Sequence, residues 1–524
     1  MRVTGIASMY TADVEVCHLG NCHATTAERR CRCDIGQPIT FDMLPDDILI
    51  EIFDFYVDED IGEDFRKQRI QDWMTLVHVC RRWRSVVFQS PRRLNLRLFC
   101  TPNTPPNETL GIWPPLPLVI IDNYENLNVD NTIAALEHND RVCQITLRCC
   151  SYLRLEDIMD SAAMQKPFPE LTHLGIAMTD GFDWPDNGNA HDGPILPDSF
   201  LGGSAPSLRS LELYRIPFPA LPNLLLSATH LVKLELYDIP HSVLIPPEAM
   251  ATGLSALTSL QFLCLHFGYA RPVLESRRPS PPPPPLTRSI LPILTTMLFG
   301  GISGYLEEIL ARIDTPQLNK MHIIFFNQIT SGTPQLFQFI SRRPTLRALE
   351  EGHIAFNSES IIIKFPSLTS DLGVLLMQIP CTRSDLRLSC LEQVCTSSLP
   401  PVYTLEDLYI LEDPLLQPCR LNDVENSLWI QLLHPFVAVK NLYLGEEFVP
   451  RFAAALQELV GRGMTEVLPT LENFFLEGFQ LLGPLHEGIE KFVAARRLTS
   501  HCVTISRWDR EPIQERQWEY WGDL

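Results

Sequence analysis

Apolar residues recur through most of this chain in one spaced unit. An apolar position is followed by a second three residues on and a third two beyond that. The unit stands at Val142/Ile145/Leu147, Leu171/Leu174/Ile176, Leu208/Leu211/Leu213, Leu231/Leu234/Leu236, Leu260/Leu263/Leu265, Leu294/Met297/Phe299 and Leu318/Met321/Ile323. It returns at Leu405/Leu408/Ile410, Val439/Leu442/Leu444 and Leu471/Phe474/Leu476. Side chains alternate along a strand, so the second and third residues share one face. The first falls in the turn that enters the strand. Successive starts lie 29, 37, 23, 29, 34 and 24 residues apart as far as Leu318, and 34 and 32 apart in the last three units. Such a pattern at this period is a leucine-rich repeat, and the longer spacings leave room for a helix between strands. One strand cannot bury its face alone, so stacked repeats must supply the core. The fold expected over 141–500 is α/β: an irregular leucine-rich-repeat horseshoe of parallel sheet with outer helices.

Two departures mark the array. The Asn or Cys usual eight residues after the first apolar position is replaced by Ile216, Ile239, Ile302, Phe326 and Phe479. Between 347 and 404 the spacing breaks, and 360–365 and 385–391 read as extra strands.

Ahead of the repeats the period changes to that of helices. In 44–57, Ile48, Leu49, Ile52, Phe53 and Tyr56 recur at helical spacing, with Pro45, Asp46 and Asp47 suited to a helix start. After an acidic insert (Asp58, Glu59, Asp60, Glu63, Asp64), a second amphipathic helix is expected over 71–88. It carries Trp73, Leu76, Val77, Cys80, Trp83 and Val87 on one face and stops at Ser90-Pro91. Residues 1–38 show no sustained period and read as a disordered lead. Residues 99–140 read as a proline-rich linker leading into the repeats, and 501–524 as a C-terminal tail. The run RRPSPPPPPL at 277–286 reads as an extended loop, either a spacer or a ligand for a proline-binding domain.

Composition narrows the function. Of 524 residues, 45% are hydrophobic and 20% charged, so a sizeable core is available, and 43 prolines favour many short elements. The net charge of −21 disfavours nucleic acid as a general partner. Arg81, Arg82, Arg84, Arg92, Arg93 and Arg97 cluster locally and read either as a solvated helix face or as an anion site. Fifteen cysteines lack framework spacing, and Cys17, Cys22, Cys31 and Cys33 match no zinc knuckle, which points to a reducing compartment and no metal. The uncharged stretch 289–306 is broken by Pro292, Gly300, Gly301 and Gly304, so no membrane span is expected. Gly301-Ile302-Ser303-Gly304-Tyr305 lacks the closing glycine of a nucleophile elbow, Gly461-Arg462-Gly463 lacks a dinucleotide loop's third glycine, and no H-E-x-x-H occurs. Neither catalytic residue nor cofactor is expected.

The helix LPDDILIEIF followed by WMTLVHVCRRWRSVVF resembles an F-box, spanning 39–98. With VENSLWIQLLHPFVAVKNLYL and EEFVPRFAAALQELVGRG, it also resembles the F-box-like proteins abundant in mushroom-forming fungi. The resemblance implies docking to a Skp-family adaptor and, through it, a cullin ubiquitin ligase in the cytoplasm or nucleus. Carried over residue by residue, it assigns adaptor contacts to Leu44, Pro45, Ile48, Ile52, Phe53, Val79, Cys80 and Trp83. The same residues could instead only pack the small domain. The repeats would then bind a protein substrate. Glu212, Tyr214, Glu235, Tyr237, His266, His322, Tyr409, Tyr443 and Phe475 alternate with the buried strand positions and point to the concave surface. Glu212/Tyr214 and Glu235/Tyr237, equivalent in consecutive repeats, read as a ladder for a basic substrate segment or as ordinary solvated strand residues. The expected function is substrate receptor of such a ligase; the alternative is a repeat scaffold whose F-box engages no ligase.

Overall fold

The computed structural model describes residues 44–57, 76–90, 98–100, 110, 115–124, 128–149, 151–178, 194–240, 245–268, 288–326, 333–347, 350–358, 360–366, 373–380, 384–397, 399–413, 426–460, 466–478, 484–499 and 501–509. The N-terminal lead with its cysteines, the acidic insert, Trp73 and the proline run at 277–286 lie outside them. The chain divides into two compact units, Met1–Leu94 and Asn95–Leu524.

In the first unit, α1 covers Asp46–Val57 and α2 covers Arg81–Gln89. The second amphipathic helix is therefore not continuous. Residues 76–79 are helical, but Cys80 is extended (φ −155°, ψ 169°) and its thiol accepts from the Trp83 N–H at 3.4 Å, so α2 starts afresh. A side chain that caps a new helix competes with continuing the old one. Leu49, Phe53, Leu76, Val77, Val86 and Val87 form the buried core.

The second unit is built on a 16-stranded sheet. Its strands are β1 (Leu98–Cys100), β2 (Leu118–Tyr124), β3 (Val142–Cys149), β4 (His173–Met178), β5 (Ser210–Tyr214), β6 (Lys233–Ile239), β7 (Phe262–Phe267), β9 (Thr296–Gly301) and β11 (Lys320–Phe325), then β12 (Glu351–Phe356), β13 (Ser360–Phe365), β14 (Val374–Pro380), β15 (Asp407–Glu412), β16 (Asn441–Leu444), β17 (Asn473–Glu477) and β18 (Thr504–Trp508). Two short strands, β8 (Ser289–Ile290) and β10 (Ile313–Asp314), pair separately. Among the helices, Val129–Leu136 returns the chain from β2 to β3, Leu221–Ser227 from β5 to β6, Pro247–Ser255 from β6 toward β7, and Ser303–Arg312 follows β9. Each apolar triplet is buried: Leu208, Leu211 and Leu213 are at most 3% exposed, as are Leu231, Leu234 and Leu236, and Leu405, Leu408 and Ile410. The three-then-two spacing has the cause expected of it, and the unit has leucine-rich-repeat architecture.

The sheet is longer than the repeat signature. β1 and β2 extend it into the segment read as linker, and β18 draws part of the expected tail onto its far edge. In β2 the buried Leu118, Val119 and Ile120 form a continuous apolar run, the pattern of a strand buried on both faces, so no single triplet stands out from its neighbours.

The irregular stretch holds a strand insertion. The sheet order there is β11-β14-β13-β12-β15, with β13 antiparallel to both neighbours and every other pairing parallel. The strand expected at 360–365 is β13. The one expected at 385–391 is instead part of a helix, Ser384–Ser397, with Leu388, Leu391 and Cys395 buried at helical spacing. On either side of β13, β12 carries no repeat signature, whereas β14 follows the spacing as Leu372/Leu375/Met377, with Leu375 and Met377 in register with Met321 and Ile323 of β11.

Candidate functional site

Two surfaces hold the residues singled out from the sequence. On the first unit, α1 buries Leu49 and Phe53 and turns Ile48 and Ile52 outward, 43% and 40% exposed. Val79, just ahead of the break at Cys80, is 55% exposed. Phe53 is 1% exposed and lies against the Trp83 ring, centroids 4.8 Å apart and planes tilted by 59°. The eight candidate adaptor residues thus fall in different places. Ile48, Ile52 and Val79 are apolar and open to solvent, and Pro45 is exposed. Leu44, Cys80 and Trp83 are half-buried, and Phe53 is core. The Arg82 guanidinium donates to Asp46 at 2.7 Å and to the Leu44 carbonyl, and Arg84 donates to the Val77 carbonyl at 2.9 Å. These two arginines of the basic cluster hold the ends of the helices.

On the second unit, the sheet face opposite the buried leucines carries two runs of stacked rings. In the first, Tyr214 and Tyr237 stand in register on β5 and β6, 5.6 Å apart and within 9° of parallel. His266 stacks on Tyr237 at 4.3 Å, and Phe326 closes the run edge-on against His266 at 5.3 Å. Glu212 and Glu235 also pair in register, but Lys233 lies between them, 2.9 Å from Glu212 and 3.2 Å from Glu235. Burial works to lower the Lys233 pKa; the hydrogen bond and charge of Glu212, with those of Glu235, outweigh it and raise it. The two glutamates are therefore not a free acidic ladder. Lys233 stands two residues before Glu235, on the same face of the strand, so the sequence carried this signal.

The second run is longer. His353, Tyr409, Tyr443 and Phe475 occupy one register row of β12, β15, β16 and β17, with centroids 4.4, 4.1 and 4.5 Å apart and planes within 14° of parallel. Trp508 of β18 lies across them, 5.8 Å from Tyr409 at 61° and 5.5 Å from Tyr443 at 70°. Next to the rings runs a chain of side-chain hydrogen bonds. Thr504 donates to Asn473 at 2.5 Å, Asn473 to Asn441 at 2.7 Å, and Asn441 to Asp407 at 2.5 Å. Glu351 pairs with Asp407 in register and lies 2.5 Å from His353. Burial pushes the Asp407 carboxyl up, against the Asn441 hydrogen bond, and Glu351 and Glu406 add to the rise. Burial also raises the Tyr409 and Tyr443 phenols, which stay neutral.

Tyr214, Tyr237, Tyr409 and Tyr443 are thus brought together in pairs, one pair per run. Sequence reasoning missed His353 and Trp508. His353 precedes the inserted strand and belongs to no apolar triplet, and Trp508 stands in the segment read as tail. His322 lies in the row between the runs, flanked in register by Leu298 and Leu376, and burial pulls its pKa down to about 4.

Among the described residues there is no group of three or more His, Cys, Asp or Glu able to hold a metal ion, and no helix is long and apolar enough to cross a membrane. No protein-family model and no curated protein matches the sequence. Among solved structures, a leucine-rich-repeat-containing protein of Legionella pneumophila is similar at 13% identity over 76% of this chain and 97% of that one, with a TM-score of 0.26. A superposition that loose adds nothing to the repeat architecture, which rests on the strand register and the buried triplets.

Proposed function

We propose that this chain is a substrate-receptor subunit of a Skp–cullin–F-box type ubiquitin ligase, acting in the cytoplasm or nucleus, with the first unit docking the adaptor and the open sheet face binding a protein substrate. The observation that carries the reading is the placement of Ile48, Ile52 and Val79. These large apolar residues stand in solvent on helices whose opposite faces are buried, at positions the F-box resemblance gives to the adaptor. Exposed apolar residues on such a small unit suit an interface better than a core. The role is positional: the receptor raises the effective concentration of a substrate lysine at the ligase, and no residue of the chain does chemistry.

The test is co-purification of the full chain with a Skp-family adaptor, beside an Ile48→Asp/Ile52→Asp variant. Both positions are exposed, so the variant is expected to fold and to lose the adaptor. A wild-type chain that leaves the adaptor behind, or a variant that retains it, overturns the reading. The second reading, a repeat scaffold independent of any ligase, draws on the ring ladders, which consist only of second-unit residues. Partner binding by a chain that ignores the adaptor would favour it.

A further inference from the structure

Charge is unevenly placed along the open sheet face. The strand register puts Arg148, Glu212, Lys233, Glu235 and Lys320 on that face from β3 to β11, three cations against two carboxylates. Lys364 of β13 marks the boundary, in register with His353. Beyond it, on β12 and β15 to β18, the charged positions of the face are Glu351, Asp407 and Glu477, with no lysine or arginine among them. At the rim, Lys440 is paired with Glu406 at 2.7 Å and Glu472 stands near it. The ring ladder and the acidic balance therefore coincide on the C-terminal half.

The rings there have a defined orientation. His353, Tyr409, Tyr443 and Phe475 are stacked face to face, so their edges point away from the sheet. Ring edges are electropositive and ring faces electronegative. Trp508 is steeply inclined to that stack, at 61° to Tyr409 and 70° to Tyr443. The ring is half-buried, so part of it stays open to solvent. Its register partner on β17 is Glu477. Indole is the best of the aromatic platforms for a cation. The Asn441 amide donates to Asp407, so the hydrogen-bond chain from Thr504 ends on a carboxylate that accepts and cannot donate when ionised.

We propose that this half of the open face, the Tyr409–Tyr443 ladder with Trp508 inclined against it and Glu351 and Asp407 along its border, is the seat of an extended cationic protein segment, with one arginine or lysine side chain against Trp508, whose register partner is Glu477, and another beside Asp407. The proposal rests on the reading that the open face is where the partner binds, and it names the partner's chemistry. It also moves the basic-segment site away from Glu212 and Glu235, which Lys233 already bridges.

The test uses the full chain and a fluorescein-labelled peptide of alternating arginine and glycine, followed by fluorescence polarisation, with the citrulline counterpart as the uncharged control. Trp508→Leu and Asp407→Asn are each expected to weaken binding about ten-fold. Asparagine keeps an acceptor for Asn441, so Asp407→Asn decides the matter even if Trp508→Leu disturbs the edge strand. A Glu212→Gln/Glu235→Gln variant is expected to bind as the wild type does. The proposal is overturned if the wild type does not bind the peptide, if citrulline binds equally, or if both C-terminal variants bind unchanged. It is also overturned if the Glu212/Glu235 variant weakens binding as much as Asp407→Asn, since attraction would then be spread over an acidic chain. Adaptor co-purification on the same preparations separates the two levels. Adaptor held without peptide refutes this site alone; peptide held without adaptor supports the site and favours the scaffold reading.

Discussion

Gly300 offers a sharp test of the first ring ladder, because a single methyl group there should change sign with its neighbour. Gly300 of β9 stands opposite His266 of β7 in the register. A Cβ at Gly300 would lie 2.8 Å from His266 Cγ and Nε2, and closer still to Cδ2. The imidazole has little room to yield. It is 7% exposed, stacked on Tyr237 at 4.3 Å and met by Phe326 at 5.3 Å. Gly300→Ala must therefore push the ring out of its stack or spread two strands. Overpacking of this kind costs about 1–3 kcal/mol, and a disrupted aromatic stack about 0.5–1.5 kcal/mol. Against this, Gly→Ala at an ordinary backbone position stabilises by about 0.4–1 kcal/mol through the unfolded chain. The expected net loss is about 1–3 kcal/mol. In a His266→Ala background the clash is gone, and the same substitution should be neutral or stabilising by up to about 1 kcal/mol. A long repeat array need not unfold in one step, so the local quantity to follow is native-state hydrogen exchange of the amides in Phe262–Phe267 and Thr296–Gly301, in all four proteins of the cycle. An equal effect of Gly300→Ala in both backgrounds would refute the reasoning.

Three further outcomes follow from buried polar groups. His322, with its pKa lowered to about 4 by burial and by His266, stays neutral when folded, while the unfolded imidazole takes up a proton near its ordinary value of 6.5. The stability it protects is intact above that value and is lost as pH falls from there toward 4, a slope of at most about 3 kcal/mol that His322→Leu should flatten in acid-titrated unfolding. Arg312, its side chain 9% exposed, donates to the Glu248 carboxylate at 2.6 Å and to the Glu308 carbonyl at 2.8 Å. Glu248→Ala is expected to cost about 1–3 kcal/mol in urea unfolding by leaving the guanidinium short of its anion, whereas a Glu248→Met/Arg312→Met pair should cost less than the single change. Burial pushes the Cys264 thiol up to about 12, while Cys502 is exposed. Iodoacetamide mapped by mass spectrometry should alkylate Cys502 well before Cys264 in the native chain, and the reverse order would show that the β7 face is open.

Sequence pattern revealed those features that are local and repeated. The triplets were legible because one spacing serves every repeat, and Tyr409 and Tyr443 share a phase with Leu408 and Leu442 that puts them on the opposite face. The helix at 384–397 was misread because DLRLSCL alternates over a few residues; its helical spacing emerges only with Val394 and Cys395. β14 was legible in the spacing Leu372/Leu375/Met377, which the array passes over; its pairing was not, since its partner β11 lies more than fifty residues earlier, Lys320 opposite Val374. The first unit's stripe was read correctly as apolar but too widely as one surface: Leu49 and Phe53 face inward while Ile48 and Ile52 face out. Hydrophobic period fixes a helix face only to about 100°, and which edge of it is covered depends on the partner helix.

The inserted strand explains why one face can carry both ladders and why they are not collinear. β13 runs against β14 and β12, so the single reversal on entering it is undone on leaving, and β12 runs in the same sense as β11. Pairing is unbroken across the insertion. The row Glu235–Cys264–Leu298–His322 continues through Leu376 and Lys364 to His353 and Tyr409. The row of His266 continues instead through Gly300, Ile324, Gln378 and Ile362 to Ala355 and Leu411. The second ladder is therefore displaced from the first by one pleat repeat, two residues or about 6.8 Å along the strands. A partner segment touching both must cross the strands obliquely, meeting Tyr214 and Tyr237 near the strand ends and Tyr409 and Tyr443 one repeat nearer the strand starts. Between them it passes Leu298, His322 and Leu376, where a short apolar side chain fits better than a charge. A cationic segment seated on the C-terminal ladder would thus reach the Tyr214–Tyr237 pair only through an uncharged stretch, and the balance of three cations to two carboxylates on that half gives it no electrostatic reason to slide further.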